Sequence, residues 1–556
     1  MTADSAVGAA QRTVRRLITY LLLFALVVVA AVGLSGLLER LLVADTVLAT
    51  GDVAGLARSL AFALIGGPLA ALLWWVVWRR LGDETERASV GWGLYVTGIY
   101  VVSLVLATSN LLSTVTTLIG GQSLQWRPSL ATGLVWAAVW VWHRWMWRHP
   151  RKRPADVADA PTVLSSYIGL VIGVSGAVSA LSILLDAALR GALAAGMVGK
   201  PWWVSALQSL VWAVGGGLVW WWHWTHDGVR RLRGDLASVG LIAVGILGAG
   251  VLTLGGAGVT LFALLRLAFD RTDPMDQLLE PLAPAIAAAA VGSLVWVYHR
   301  GLARGRSEAI RQGSRLVTSG VALVAAASGI GVIVNAALAM AATPLAGSGA
   351  RTLLLGGISS LLVGGLVWWF TWKPLERTSA ATPRPAGDSG NWQNARRIYL
   401  IVVFGLSAVV AVVTLLVIGY RMFEYFLGDI SGGSVVDRIR APLGLLVATG
   451  LVAGYHFAAW RHERAVLAAA APVRKRTIGH VVLVTGTEPA LLNRAIEDVT
   501  GAGVTVWRRA DVGAAAAADV GELAGRLAGE LEGVTGKQVL VTVSPEGRIE
   551  VIPLLG

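Results

Sequence analysis

Twelve predominantly apolar stretches, each near the length a helix needs to cross a bilayer, recur along this chain. A hydrocarbon core roughly 30 Å thick takes about 20 helical residues to span, and inside it only helices and closed barrels satisfy every backbone hydrogen-bonding group. The odd-numbered stretches are approximately 16–41, 91–118, 164–193, 236–268, 316–342 and 398–426. The even-numbered ones are approximately 57–78, 129–143, 205–224, 282–299, 352–372 and 442–460. Composition agrees with spanning helices. Only 14% of the 556 residues are charged and the mean hydropathy is +0.67, against about a quarter charged in soluble domains. An ordinary water-soluble enzyme is therefore excluded for most of the chain. The chain has no Cys, which removes disulfides, thiolate zinc sites, iron–sulfur clusters, c-type haem attachment and cysteine nucleophiles together.

Charge is distributed by side rather than in a patch. The N-terminal residues, the loops after each even stretch and the segment to Arg476 carry 29 Lys and Arg, while the loops after each odd stretch carry 11, balanced by 11 Asp and Glu. The positive-inside rule then places residues 1–15, every even-to-odd loop and the C-terminal segment on the cytoplasmic side of an inner (plasma) membrane. The net charge of +13 is topology, and no nucleic-acid partner is expected. Arg12, Arg15 and Arg16 precede a first apolar stretch too long for a signal peptide and followed by no small-residue cleavage site, so it reads as an uncleaved span.

The even stretches end alike. Gly217-Leu-Val-Trp-Trp-Trp-His-Trp224, Ser293-Leu-Val-Trp-Val-Tyr-His-Arg300 and Gly365-Leu-Val-Trp-Trp-Phe-Thr-Trp372 share a form with Gly133-Leu-Val-Trp136 running to Trp140-Val-Trp-His-Arg144, and more distantly with the endings at Trp74 and Ala453. Aligned on Trp74, Trp140, Trp220, Trp296, Trp368 and Ala453, the copies recur every 66 to 85 residues. The expected fold is thus an all-α polytopic membrane protein of about 12 transmembrane helices. They form six parallel hairpin repeats, approximately 16–80, 91–144, 164–224, 236–300, 316–373 and 398–461, within a membrane domain over 16–465. This succession of Arg-bounded hairpins resembles a bacterial family of repeated polytopic membrane proteins catalogued as a domain of unknown function, over roughly residues 12–465. The resemblance implies the architecture and carries no activity or site. Val77 and Thr371 depart from it where four copies have His, and Ala453 where five have Trp.

Two columns of side chains are the candidate sites. Trp74, Trp140, Trp220, Trp296 and Trp368 read as interfacial anchors of a tryptophan belt, backed by Arg that reach lipid phosphates. His143, His223, His299 and His456 occupy one column three residues after Trp140, Trp220, Trp296 and Ala453. They are the candidates for haem or metal binding, set against interfacial histidines bonded to lipid or backbone. Neither a cofactor nor a metal is expected, because no carboxylate recurs beside the column and two repeats lack the His. Asn110 and Asn335 lie deeper and are expected to bond between helices. Asp270, Asp273, Asp276 and Glu280 share an external loop that lacks the glycine turn and terminal Glu of a calcium site and reads as solvated.

Residues 378–390, rich in Pro, Ala, Ser and Gly, read as a flexible linker. From residue 477 the chain changes character. Strands at 480–484, 504–507, 538–543 and 548–554, with helices opening near Thr487 and at 520–531, give a small βαβαββ cytoplasmic domain. Its Thr485-Gly-Thr487 junction lacks a phosphate-binding glycine loop. No catalytic triad, paired carboxylates or His-Glu-x-x-His motif is present, so a non-enzymatic role is expected. The leading expectation is a scaffold that docks a cytoplasmic or membrane protein partner through the C-terminal domain, with the lipid bilayer as the other partner. Its alternatives are a transporter or channel for an apolar or amphipathic substrate and a haem- or quinone-binding redox subunit.

Overall fold

A computed structural model describes residues 3–43, 52–121, 125–190, 201–342, 349–380, 390–427, 434–470, 478–486, 489–509, 520–544 and 547–554. Its long helices are α1 (Ala3–Val43), α2 (Val53–Arg80), α3 (Val90–Ile119), α4 (Trp126–Trp147), α5 (Ala160–Arg190), α6 (Trp202–His226), α7 (Asp235–Phe269), α8 (Leu282–Arg304), α9 (Glu308–Ala342), α10 (Gly349–Ala380), α11 (Gly390–Leu427) and α12 (Val435–Ala470). Eleven helices among the described residues are long and apolar enough to cross a membrane. The exception is α4, where six Trp, Arg127, His143 and Arg144 stand in place of aliphatic side chains. The linker's residues 381–389 lie outside the described residues, and α10 and α11 bound them.

Helix–helix contact in an apolar solvent gains little from desolvation, so it depends on close packing of small residues. Consecutive helices meet in this way: Gly33 of α1 abuts Phe62 and Ala63 of α2, Gly133 of α4 abuts Leu111 of α3, Gly256 of α7 abuts Ala289 of α8, and Gly364 of α10 abuts Ala326 of α9. At the α5–α6 crossing a Cβ on Gly216 would strike the backbone of Gly173. The first helix of each group of four also packs on the fourth, α1 on α4 and α5 on α8. In the last group Gly331 of α9 lies against Gly444 of α12. Three four-helix sets result, α1–α4, α5–α8 and α9–α12.

Short identical segments occupy equivalent places in different sets. Ala88-Ser-Val-Gly91 and Ala237-Ser-Val-Gly240 open the third helices of the first two sets, and Gly216-Gly-Leu-Val-Trp220 and Gly364-Gly-Leu-Val-Trp368 sit in the second helices of the last two. The four-helix period is therefore the deeper one. Wide π turns interrupt α2 at Phe62–Gly66 and α7 at Leu241–Gly248, and end α6 at Trp222–His226.

The loop after α7 departs from the expected solvated acidic stretch. Asp273, Asp276 and Glu280 are exposed, but Asp270 is only 1% exposed. Its carboxylate accepts hydrogen bonds from Thr352 Oγ1 at 2.6 Å and Thr272 Oγ1 at 2.9 Å, with Arg266 Nε 3.7 Å away. The Thr352 bond ties the second set to the third. It is also the main cause holding the Asp270 carboxyl below the usual carboxylate range.

The C-terminal unit forms its four strands and two helices close to the expected places: β1 (Ile478–Thr485), α13 (Pro489–Thr500), β2 (Gly503–Arg508), α14 (Val520–Leu531), β3 (Gly536–Val543) and β4 (Ile549–Leu554). Thr487 and the turn residues 545–546 lie outside the described residues. The sheet order is β2-β1-β3-β4, parallel but for the β3–β4 hairpin. Val481, Leu483, Val539, Val541 and Val543 face Leu492 and Ile496 of α13 and Leu523, Leu527 and Leu531 of α14, which pack together on one side.

Two outcomes follow from these contacts. Gly216→Leu lowers stability by about 1–3 kcal/mol through overpacking, whereas Gly217→Leu, whose Cβ meets nothing within 4 Å, leaves the thermal midpoint in detergent unchanged. Because the folded pKa of Asp270 is depressed, its contribution is present above the unfolded carboxylate pKa of about 3.9 and is lost as pH falls through the folded value. Asp270→Ala costs about 2 kcal/mol at neutral pH and flattens that acid limb of a thermal-midpoint-against-pH curve.

Candidate functional site: repeated aromatic and histidine boxes

The histidine column is buried among the helices. His143, His223, His299 and His456 are all at most 2% exposed. Each ring Nδ1 lies 2.8 Å from the carbonyl four residues earlier, of Val139, Val219, Val295 and Val452 respectively. A carbonyl can only accept, so Nδ1 carries the proton and Nε2 presents a lone pair. At His143 that lone pair faces Tyr95 Oη at 3.1 Å, and at His223 it faces Tyr100 Oη at 3.0 Å. At His299 and His456 the Nε2 is buried with no hydrogen-bond partner among the described residues.

Three of the four occupy one structural position. His143, His299 and His456 close the fourth helix of each set, next to Trp142, Tyr298 and Tyr455. Opposite them the second helices present Trp pairs four residues apart, Trp74 and Trp78, Trp220 and Trp224, Trp368 and Trp372, which spacing puts on one helix face. His299 lies 5.7 Å from the Trp224 ring and His456 5.7 Å from Trp372, while His143 is 6.3 Å from Trp74. Trp224 Nε1 donates to Tyr298 Oη at 2.7 Å and Trp372 Nε1 to Tyr455 Oη at 2.6 Å.

A tyrosine completes each box over a glycine of a neighbouring helix. Tyr20 of α1 covers Gly91 of α3, and Tyr167 of α5 covers Gly240 of α7. In the third set the pair is exchanged, with Tyr399 on α11 above Gly320 of α9.

His223 belongs to a different place, the seam between the first and second sets. Its partner Tyr100 accepts from Arg144 Nη1 at 3.0 Å. The Arg144 guanidinium grips Asp227 with two bonds of 2.9 Å, and Arg148 adds a third of 2.6 Å. Asp227 has no exposed side-chain surface, and both of its oxygens are met there by guanidinium donors.

The tryptophan column also turns inward. Trp74, Trp140, Trp220, Trp296 and Trp368 are half-buried, with Trp140 5.8 Å from Tyr100, Trp220 5.9 Å from Tyr298, Trp368 5.5 Å from Tyr455 and Arg300 4.9 Å over Trp296. Their chain neighbours Trp75, Trp221 and Trp369 are exposed. Among the deeper amides, Asn335 accepts from Arg440 of α12 at 3.2 Å, but Asn110 donates within its own helix to Leu106 at 2.8 Å. No group of three or more His, Asp or Glu placed to hold a metal occurs among the described residues. Sequence reasoning missed Tyr95, Tyr100, Tyr167, Tyr399 and Asp227. The tyrosines' one sequence signal is their place in the opening turns of odd-numbered helices.

The four-helix sets coincide with the outcome of comparison with known families. Residues 16–141, 159–294 and 314–451 each match the family described as a domain of unknown function, DUF5671. The chain belongs to the DUF5671 family. Each match runs from the first helix of a set into its fourth and ends just short of the box residues His143, His299 and His456, so the period of the matches is that of the four-helix sets, three along the chain, while the Trp endings repeat six times. No curated protein and no solved structure matches the chain.

The boxes differ in one testable respect. Tyr95→Phe removes the bond to His143 and lowers stability by about 1 kcal/mol, whereas His299→Phe and His456→Phe, which delete unpartnered acceptors, leave it unchanged or raise it. Thermal unfolding of the three variants in one detergent checks the contrast.

Proposed function

We propose that this DUF5671 protein is a non-enzymatic membrane scaffold that docks a protein partner through its C-terminal domain. The observation carrying this reading is the sheet face opposite α13 and α14. There the cross-strand rows run Trp507, Val484, Thr542, Glu550 and Thr505, Val482, Leu540, Ile552, with Leu554 in the next row. Trp507 is 62% exposed and Ile552 42%, so helices cover one side of a two-sided apolar sheet. Exposed apolar patches of this kind mark interaction surfaces.

In this reading the chain crosses an inner membrane twelve times as six parallel hairpins, with α4 among the spans. The N-terminus and the C-terminal domain lie in the cytoplasm. The Lys and Arg asymmetry supports that orientation, and the exposed Trp75, Trp221 and Trp369 supply the interfacial belt. Arg79 3.8 Å over Trp75 and Lys373 4.1 Å over Trp369 suit indoles at headgroup level. The partner is a cytoplasmic or membrane protein with a complementary apolar surface.

Full-length protein carrying Trp507→Ala and Ile552→Lys tests the docking face. A partner recovered stoichiometrically with the wild type in mild detergent is lost from the variant. Equal recovery from both overturns the reading. Transport of an apolar or amphipathic substrate is the second reading, supported by an apolar cleft between the second and third sets, and flux into proteoliposomes separates it from the first.

A further inference from the structure

The two seams between four-helix sets are built differently. Between the first and second sets, Gln208 Nε2 of α6 donates to the Thr116 carbonyl of α3 at 2.7 Å, and Leu112 of α3 lies on Gly215 of α6. Between the second and third sets, α7, α9 and α10 enclose a cleft of roughly 570 Å³. Its volume lies within the range of about 300–1,000 Å³ typical of small-molecule sites.

The cleft follows from substitutions at equivalent positions. With Gly216-Gly-Leu-Val-Trp220 laid on Gly364-Gly-Leu-Val-Trp368, α6 carries Gln208, Val211 and Trp212 where α10 carries Gly356, Ser359 and Ser360. With Gly176 laid on Gly329, each abutting the second helix of its own set at Ala213 and Leu361, α5 carries Ile172 where α9 carries Ala325. On the α7 side, a Cβ added to Gly255 or Gly258 meets nothing within 4 Å. Four large side chains at the first seam are replaced by small ones at the second, against one exchange the other way, Gly215 by Val363, and the space stays open.

The lining dictates what fits. Ser359 Oγ donates to the Gly258 carbonyl at 2.6 Å and Ser360 Oγ to the Ala325 carbonyl at 2.7 Å, so both hydroxyls are committed. Every other lining residue is apolar or glycine. Each contributing stretch begins at least seven residues inside its helix end, about 10 Å of helix rise. The mouth lies on the outer surface of the helices, at Val251, Val259 and Val324, which are exposed. We infer that this cleft holds one acyl chain of a membrane lipid, entering sideways from the bilayer. A guest with a buried polar head meets no charged side chain and no free donor, only the lone pairs of two hydroxyls that already donate elsewhere, and a hydrocarbon chain needs none.

The full chain is reconstituted in phosphatidylethanolamine and phosphatidylglycerol vesicles containing a trace of phospholipid with a diazirine at its acyl terminus. It is then irradiated, digested and mapped. Label concentrates in peptides covering 251–262, 321–325 and 356–363 relative to the equally exposed face of α11 at 401–416. Gly258→Leu, which fills open space, and Ser360→Trp, which installs the α6 residue, each abolish the excess, while Gly217→Leu preserves it. Even labelling of all lipid-facing helices in the wild type overturns the proposal, as does an excess that survives in variants whose thermal midpoints match the wild type. Protection of the cleft peptides together with chain-to-chain crosslinks assigns the space to a second copy and equally overturns it.

Discussion

A polar group inside hydrocarbon has no water to fall back on, and this constraint runs through the membrane unit. It confines the backbone to helices and directs side-chain hydroxyls back to their own carbonyls, as Ser103 does to Ile99 and Thr414 to Val410. It also explains the single tautomer shared by all four buried histidines, whose Nδ1 protons have a carbonyl one turn away. Where a carboxylate is buried it is met by several donors: Arg144 and Arg148 at the end of α4 for Asp227, and Thr352 of α10 with Thr272 for Asp270. Those two carboxylates fasten the first set to the second and the second to the third.

Given helices, shape is decided by the small residues at each crossing and by the aromatic boxes that fill the set ends. The boxes are variations on one plan: a Trp pair on the second helix, an aromatic with His on the fourth, and a Tyr over a Gly. The first copy satisfies its His through Tyr95, the residue of α3 four places after Gly91. In α7 the place four after Gly240 is Val244, and the corresponding histidine is left with an unused lone pair. Packing of the rings, rather than hydrogen bonding at Nε2, is what the three copies have in common.

Much of this architecture was legible in the chain because hydropathy and Trp endings report directly on helices. The tail was equally legible, since short apolar strands bounded by turn residues produced β1, β2, β3 and β4 within two residues of their observed limits. The four-helix unit was hidden because the second and fourth helices of each set end alike, so Trp74 and Trp140 present themselves as successive copies of one hairpin. The burial of Asp270 was not readable, as Thr352 lies 82 residues away on another set. The inward turn of Trp220 and Trp368 was equally opaque. A Trp near a helix end is compatible with lipid or with a neighbour, and only the rotation of the helix decides.

The exchange of Tyr and Gly between sets has a consequence for how the three copies can diverge. Tyr20 with Gly91 and Tyr167 with Gly240 place the large partner on the first helix, whereas Gly320 with Tyr399 places it on the third. Either arrangement fills the same volume, but a chimera that joined α5 to α11 would bring two tyrosines to one spot, and one that joined α9 to α7 would leave two glycines and a void. At this contact the third unit has thus become incompatible with halves of the other two, and recombination with it is confined to breakpoints that move a whole four-helix unit.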